Sequence, residues 1–131
     1  MIQVTAAVII QNRKILIARR KEGMHLSRKW EFPGGKLEPN ETMVQCLKRE
    51  MNAELGVEIE IDDFICMNRH RYSFGEQELF AYKVHVISGD LQLREHDEIK
   101  WVLPSELLSY DFAEAHIPIC KRVMADYKHG C

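Results

Sequence analysis

Apolar residues dominate the beginning of the chain and are interrupted by one short polar segment. Val, Ile and Ala make up most of residues 3–10, and a second apolar run occupies 15–18. Short runs of this kind on either side of a polar turn are typical of paired strands. The intervening residues 11–13, Gln-Asn-Arg, form such a turn-like segment. The pattern therefore predicts an amino-terminal β-hairpin.

The middle of the chain predicts one helix, over 43–55. Thr42 and Gln45 have the spacing of a capping box, in which each side chain hydrogen-bonds the backbone N–H of the other residue. Gly56 follows directly and can adopt the left-handed conformation that ends many helices. The local sequence therefore indicates both ends of this helix.

The predicted helix has one apolar side. Its apolar residues recur at steps of three and four and are Met43, Val44, Leu47, Met51 and Leu55. A stripe of this kind packs on a sheet in a globular domain. In our interpretation Arg49, Glu50 and Glu54 lie off the stripe, so we expect them on another face of the helix.

The rest of the chain predicts further strands and two helical segments. The strand segments are 30–32, 57–61, 64–74, 78–87 and 99–102. They are rich in β-branched or aromatic residues, or they alternate apolar with polar ones. A helical turn is expected at Pro104 and a final helix after Pro118. Strands that alternate with helices predict an α/β fold with a mixed sheet sandwiched between helices, and 131 residues fit one domain over 1–131.

The composition is that of an ordinary globular protein, with 46% hydrophobic and 29% charged residues. A formal net charge of -2 gives no chain-wide basic surface, so no duplex nucleic-acid partner is expected. The apolar amino terminus has no basic flank and is too short to span a bilayer, so no membrane association is expected. The cysteines, at 46, 66, 120 and 131, show no C-x-x-C pairing, which favours reduced thiols in a cytoplasmic protein.

Two glutamates at helical spacing suggest a metal site. Glu50 and Glu54 are four residues apart, which places both carboxylates on one face of the helix. Mg²⁺ prefers oxygen ligands and commonly binds one or two carboxylates together with substrate phosphates. The spacing is therefore suited to Mg²⁺, with Mn²⁺ as an alternative ion. A solvated helix face without a metal is the other interpretation of the pair.

The segment from Gly35 to Val57 resembles the Nudix box, G-x5-E-x7-R-E-U-x-E-E-x-G-U, where U is aliphatic. The positions in register are Gly35, Glu41, Arg49, Glu50, Met51, Glu54, Gly56 and Val57. Ala53 stands where the box has the first glutamate of its pair. The segments 30–36, 94–101 and 110–119 extend the resemblance over nearly the whole chain. The resemblance is strongest to MutT-like nucleoside triphosphate pyrophosphohydrolases and their CTP-preferring relatives.

The resemblance implies a role for each of several residues. Glu50 and Glu54 would bind Mg²⁺ and take part in catalysis, Arg49 would orient Glu50, and Glu54 is our first candidate for the general base. Gly34 would contribute its backbone to the metal site. Glu95 would be a further metal ligand and the second candidate for the base. Contacts with the substrate are implied for Arg20, Phe32, Lys36 and His116.

The chain departs from the family at two of these positions. Ala53 removes an oxygen donor, which should weaken metal binding unless Glu95 or Glu98 substitutes for it. His116 stands where the family has Asn or Asp, which leaves the preferred base open. Capping of the final helix is the alternative role for His116. The remaining histidines, His96 among them, have no ligand spacing and are expected at solvent or hairpin positions.

The resemblance implies an enzyme that hydrolyses a nucleoside triphosphate to the monophosphate and pyrophosphate. The expected substrates are (d)CTP or oxidised purine nucleotides. One alternative is a Nudix hydrolase for ADP-ribose or a nucleotide sugar. Another is a Nudix-fold module that binds a nucleotide without cleaving it, which the loss of a glutamate at Ala53 favours. The expected partner is a small nucleotide, and the expected state is a monomer or homodimer.

Overall fold

The computed structural model describes residues 1–127, so Cys131 lies outside the described residues, as does the predicted end of the domain. The strands are β1 (Ile2–Gln11), β2 (Lys14–Arg20), β3 (Trp30–Glu31), β4 (Glu58–Tyr72), β5 (Gly75–Ser88) and β6 (His96–Val102). The α-helices are α1 (Met43–Leu55) and α2 (Ile117–Asp126). Short 3₁₀ helices cover Pro104–Ser109 and Glu114–His116. The predicted order of elements is confirmed except at β4, where two strands were predicted.

The strands form one mixed sheet. Its order is β3-β2-β1-β5-β4, and β6 pairs with β2 off this path. β1 and β5 are parallel, whereas the pairs β1–β2, β2–β3, β2–β6 and β4–β5 are antiparallel. Strand β2 therefore has neighbours along both edges, which brings β3 and β6 to the same region of the sheet.

The two helices cover opposite faces of the sheet. Ala6 and Val8 of β1 belong to a buried cluster that includes residues of α2, whereas Ala7 and Ile9 belong to a second cluster with α1. Successive residues of a strand point to opposite faces, so a strand that is covered on both sides has no polar alternation. This confirms the α/β/α arrangement and explains the unbroken apolar run at the start of the chain.

Helix α1 has the predicted ends. The Gln45 N–H donates to Thr42 Oγ1 at 3.1 Å, and the Thr42 N–H donates to Gln45 Oε1 at 2.9 Å. Gly56 ends the helix with φ 69°, in the left-handed region. The predicted apolar stripe is correct at Leu47, Met51 and Leu55 but wrong at Val44, whose side chain is exposed.

The prediction of separate strands at 57–61 and 64–74 is wrong. One long strand, β4, covers Glu58–Tyr72 and pairs with β5. Its register shifts at three places, which are between Glu58 and Ile59, between Ile61 and Asp63, and between Phe64 and Cys66. A bulge inserts an extra residue and interrupts the alternation of apolar and polar positions. The bulges therefore made one strand look like two in the sequence.

Two further features complete the description of residues 1–127. Helix α2 begins at Ile117, two residues before the predicted start after Pro118, because a proline is accepted in the first turn of a helix. Cys46, Cys66 and Cys120 are free thiols. Within the described residues, no helix is both long and apolar enough to cross a membrane.

Candidate active site

Arg49 lies at the centre of an ion-pair network on α1. Its Nε and Nη2 donate to the two carboxylate oxygens of Glu41 at 2.7 and 2.9 Å, and its Nη1 donates to Glu50 Oε1 at 2.6 Å. Nη2 also donates to the Lys36 carbonyl at 3.0 Å. Hydrogen bonds from Arg49 lower the pKa of Glu41 to about 2. The network holds the Glu50 carboxylate in one orientation and ties it to the segment that precedes α1.

The glycine segment before α1 lies against both β1 and Glu50. The Thr5 N–H donates to the Gly35 carbonyl at 2.8 Å, so the segment runs beside β1. A Cβ atom at Gly34 would overlap the Thr5 carbonyl, and one at Gly35 would overlap the Glu50 carboxylate. Only glycine permits so close an approach of backbone to a carboxylate.

Glu54 is buried, contrary to our expectation that it lies off the apolar stripe. Only 6% of the residue is exposed, and its Oε2 has no hydrogen-bond partner within the described residues. Glu54 follows Leu47 by seven residues, which is almost two helical turns, so the two side chains lie on nearly the same side of α1. The periodicity itself could therefore have predicted the burial.

The environment of Glu54 raises its pKa from an ordinary value of 4.5 to about 10. Burial is the largest cause, followed by a hydrogen bond with Glu50. The negative charges of Glu31, Glu50 and Glu95 act in the same direction. A buried, unpartnered carboxylate oxygen beside other carboxylates is the donor set that a hard dication fits, because the ion supplies the missing positive charge.

The loop before β6 is attached to the carboxyl-terminal end of α1. The Gln92 N–H donates to the Leu55 carbonyl at 2.8 Å, and the Arg94 N–H donates to the Glu54 carbonyl at 3.3 Å. Arg94 Nη1 donates to the Asn52 carbonyl at 2.9 Å. The backbone donors of Gln92 and Arg94 pair with carbonyls in the last turn of α1, where the helix leaves carbonyls without intrahelical partners. The attachment brings Glu95 next to Glu54.

Two adjoining cavities bring the predicted site residues together. The smaller, of about 120 Å³, is lined by Arg20, Met24, Glu31, Gly34, Glu54, Glu95 and His96. The larger, of about 400 Å³, shares Arg20, Glu31 and Gly34 with it and is also lined by Phe32, Lys36 and His116. Arg49 and Glu50 lie outside the walls of both cavities, although Glu50 is close enough to Glu54 to raise its pKa.

The candidate substrate residues differ in how firmly they are held. Arg20 Nη1 lies 3.2 Å from Glu31 Oε1, and its Nε donates to the His25 carbonyl at 2.8 Å. Phe32 is buried against Phe112, with a ring-centroid distance of 5.3 Å. Lys36 is exposed, which leaves its ammonium group able to approach a ligand.

His116 is buried and makes a hydrogen bond that fixes its tautomer. The Phe32 N–H donates to Nδ1 at 3.2 Å, so the single proton of the neutral ring is on Nε2. Burial lowers the pKa of His116 from 6.5 to about 4, which keeps the ring neutral near pH 7. His116 stands at the N-cap position of α2, as the alternative predicted, but its side chain makes no capping hydrogen bond.

Glu31 and His96 are site residues that the sequence analysis missed. His96 was expected at a solvent or hairpin position, but only 5% of it is exposed. Its Nε2 lies 2.9 Å from Glu31 Oε2 and 3.7 Å from Glu54 Oε1. His96 is buried because it opens β6 opposite Arg20, at a register shift in the pairing of β2 with β6. That pairing joins distant segments, so no local pattern could have indicated it.

Stability should fall with rising pH in the metal-free protein because of Glu54. Its folded-state pKa lies above the unfolded value, so the folded protein keeps a proton that the unfolded chain releases above about pH 4.5. The loss is at most about 1.4 kcal/mol per pH unit between that pH and about 10. Glu54→Gln removes the titrating group, so we expect a smaller slope.

Urea unfolding in EDTA from pH 5 to pH 8 measures this slope. Glu22→Gln is the control, because Glu22 is exposed and makes no ion pair within residues 1–127. Equal slopes for the wild type and Glu54→Gln would show that Glu54 does not retain a proton.

Comparisons with known proteins agree with this geometry. The sequence profile described as NUDIX domain matches residues 1–123. The CTP pyrophosphohydrolase of Escherichia coli K12 is 38% identical over 125 residues, 95% of this chain and 93% of that protein. The 8-oxo-dGTP diphosphatase of Haemophilus influenzae is 32% identical and covers 91% and 89% of the two chains.

Solved structures show the same likeness. The solution structure of the E. coli ORF135 protein has a TM-score of 0.84 at 37% identity, over 98% of this chain and 91% of that chain. A MutT protein from Methanosarcina mazei Go1 has a TM-score of 0.86 at 23% identity, over 97% of this chain and 95% of that chain. At this identity the likeness shows the fold alone. With its profile matched over nearly the whole length, the chain belongs to the NUDIX domain family.

Proposed function

We propose that this protein is a Mg²⁺-dependent nucleoside triphosphate pyrophosphohydrolase, which converts a nucleoside triphosphate and water to the monophosphate and pyrophosphate. The observation that carries the proposal is the buried Glu54 carboxylate, with its unpartnered Oε2, in a cavity that adjoins a larger one of about 400 Å³. The larger cavity has the volume of a small-ligand pocket. The similarity to a CTP pyrophosphohydrolase and an 8-oxo-dGTP diphosphatase supports (d)CTP or oxidised purine nucleotides as substrates.

The residues around the smaller cavity fit a hard dication. Glu54 and Glu95 line this cavity and supply carboxylate oxygens, Glu50 adds a carboxylate from behind the cavity wall, and Gly34 supplies backbone. We propose that these residues hold Mg²⁺, with Mn²⁺ as an alternative. When bound, the ion neutralises phosphate charge and lowers the pKa of coordinated water.

Each protein group then has a separate task. Glu54 accepts the proton of the attacking water, and Glu95 is the second candidate for this role, since both line the same cavity. Arg49 fixes Glu50 through the 2.6 Å hydrogen bond and does not act on the substrate directly. The exposed ammonium group of Lys36 approaches the phosphates from the rim of the larger cavity.

The larger cavity recognises the base. Phe32 offers an apolar surface, and Arg20 and His116 offer polar groups on the same cavity wall. Because His116 Nδ1 is occupied by the Phe32 N–H, the ring can present only the Nε2–H to a ligand. A base with a hydrogen-bond acceptor at the facing edge therefore suits this site.

The proposal extends to the properties of the whole protein. We propose one domain over 1–131, a cytoplasmic location, and a monomer or homodimer that binds neither duplex nucleic acid nor membranes. The net charge of -2 supports the absence of a nucleic-acid partner.

A nucleotide panel tests the reaction. We expect pyrophosphate release from CTP, dCTP or 8-oxo-dGTP with Mg²⁺, and little turnover of ADP-ribose or a UDP-sugar. Glu54→Gln should lower kcat by roughly 10²- to 10⁴-fold, the usual contribution of a general base, while the fold is retained. An unchanged rate in this variant would move the role to Glu95 or elsewhere. Turnover of only the diphosphates, or binding without turnover, would contradict the proposal.

Because Ala53 stands in place of a Nudix-box glutamate, this enzyme should need a higher Mg²⁺ concentration for activity than an enzyme with the complete box. Ala53→Glu adds a carboxylate beside Glu50 and Glu54, so we expect the Mg²⁺ concentration at half-maximal rate to fall roughly 10- to 100-fold. Asn52→Glu is the matched control, because it adds the same charge to the exposed neighbouring position. A wild type that saturates at low micromolar Mg²⁺, or an Ala53→Glu variant without effect, would show that the later loop already supplies the missing ligand.

His116 should contribute to base preference. His116→Asn replaces a ring that can only donate into the cavity by an amide that donates and accepts. N3 accepts a hydrogen bond in cytosine and donates one in uracil, so the wild-type ring favours cytosine. We therefore expect the ratio of kcat/KM for CTP to kcat/KM for UTP to fall roughly 2- to 10-fold, which corresponds to the loss of one neutral hydrogen bond. The Mg²⁺ requirement should stay constant, and the exposed His85→Asn should behave as wild type. An unchanged ratio would remove His116 from base recognition.

A further inference from the structure

We infer that His96 is a positioning residue, which donates a hydrogen bond to Glu31 and packs beside one oxygen of Glu54, so that the other oxygen of Glu54 stays available. This inference rests on the proposed function and assigns a role within the same site. His96 itself touches neither the cation nor the substrate in this role.

The fold brings three buried side chains together from three elements. Glu31 comes from β3, His96 from β6 and Glu54 from α1, and all three are more than nine-tenths buried. β3 and β6 flank β2 on its two sides, opposite Ala18 and Arg20. The meeting of these side chains is therefore set by the pairing of the sheet.

The direction of the hydrogen bond follows from the partners of Glu31. Its Oε1 lies 3.2 Å from the Arg20 guanidinium, so the group is an ionised carboxylate and can only accept hydrogen bonds. The 2.9 Å contact between its Oε2 and His96 Nε2 must then have the histidine as donor. The proton of His96 is thereby placed on Nε2.

A metal bound by the three residues is the rival interpretation. One ligand atom from each lies within 4.8 Å of the others, which is close enough for a shared ion. A ligating imidazole nitrogen must be free of its proton, and the other ring N–H then normally has an acceptor. His96 Nδ1 is buried and has no partner within the described residues, so moving the proton there would leave an unpaired N–H. The contacts therefore favour a hydrogen-bonded support.

This support has a consequence for Glu54. Its Oε1 faces His96 Nε2 at 3.7 Å, whereas its Oε2 has no protein partner within residues 1–127. The backbone of Glu54 is held as well, since its carbonyl accepts from the Arg94 N–H at 3.3 Å. A carboxylate whose backbone is held and whose one oxygen packs beside a fixed ring loses less freedom when its other oxygen is engaged. Oε2 is thus the oxygen left for the ion or the attacking water.

The test compares two replacements of His96. His96→Leu removes the donor at similar volume, and His96→Gln keeps an N–H near the position of Nε2. Calorimetry on the metal-stripped protein measures Mn²⁺ binding, which we expect His96→Leu to weaken roughly 10- to 100-fold. We expect the same variant to lower kcat by a similar factor, roughly 10- to 100-fold, with little change in KM. His96→Gln should restore most of both. If His96→Leu does not fold, the test uses His96→Asn in its place. The amide nitrogen of Asn lies near the position of Nδ1, so this variant also lacks a donor at the position of Nε2.

A matched control lies outside the site. His85 is exposed and pairs with Asp62 at 2.8 Å, so His85→Leu breaks a similar histidine–carboxylate pair and should leave Mn²⁺ binding unchanged. Equal losses in His96→Leu and His96→Gln would overturn the inference in favour of a ligating imidazole. Wild-type Mn²⁺ affinity and kcat in His96→Leu, or no Mn²⁺ uptake by the wild type, would also overturn it. Mn²⁺ binding without nucleotide cleavage would refute the proposed function alone, and the binding series would still decide the role of His96.

Discussion

The burial of Glu54 is the constraint on which the site depends. A carboxylate removed from water costs free energy unless a proton or a cation compensates it, and Glu54 has no lysine or arginine partner within residues 1–127. The surrounding groups do not neutralise it, since Glu31, Glu50 and Glu95 all add negative charge. In the ion-free protein the raised pKa of Glu54 leaves a proton on this group, and a bound dication would replace that proton.

The coverage of the sheet on both faces explains why Glu54 stays buried. Leu47, Met51 and Leu55 are fully buried, so the helix that carries Glu54 cannot turn it towards water without exposing them. The free energy of burying three large apolar side chains, about 1.5–3 kcal/mol each, opposes such a rotation. Packing of α1 on β1 thus stabilises an arrangement that electrostatics alone would disfavour. Functional sites commonly depend on the rest of the fold in this way.

The features predictable from the sequence are those that depend on short-range chemistry. The capping box of Thr42 and the left-handed Gly56 predict the ends of α1 correctly, and the contact of Arg49 with Glu50 that the resemblance implies is present. The long strand β4 was predicted as two strands because bulges interrupt its pattern of apolar and polar positions. His96 was missed because its burial depends on strand pairing between distant segments. The misplacement of Glu54 had a different cause: a polar residue was assigned to a polar face, although its spacing from Leu47 placed it on the buried side.

The absence of a glutamate at position 53 has a consequence for the metal-free protein. Glu31, Glu50, Glu54 and Glu95 already interact across the site, and each added negative charge would raise the free energy of the ion-free state. A neutral Ala53 limits this repulsion and simultaneously removes an oxygen donor. Stability without the ion and affinity for the ion therefore oppose each other at this position. In the proposed site, the neutral and exposed Ala53 would favour the ion-free state, and the buried Glu54 would carry a larger share of cation binding.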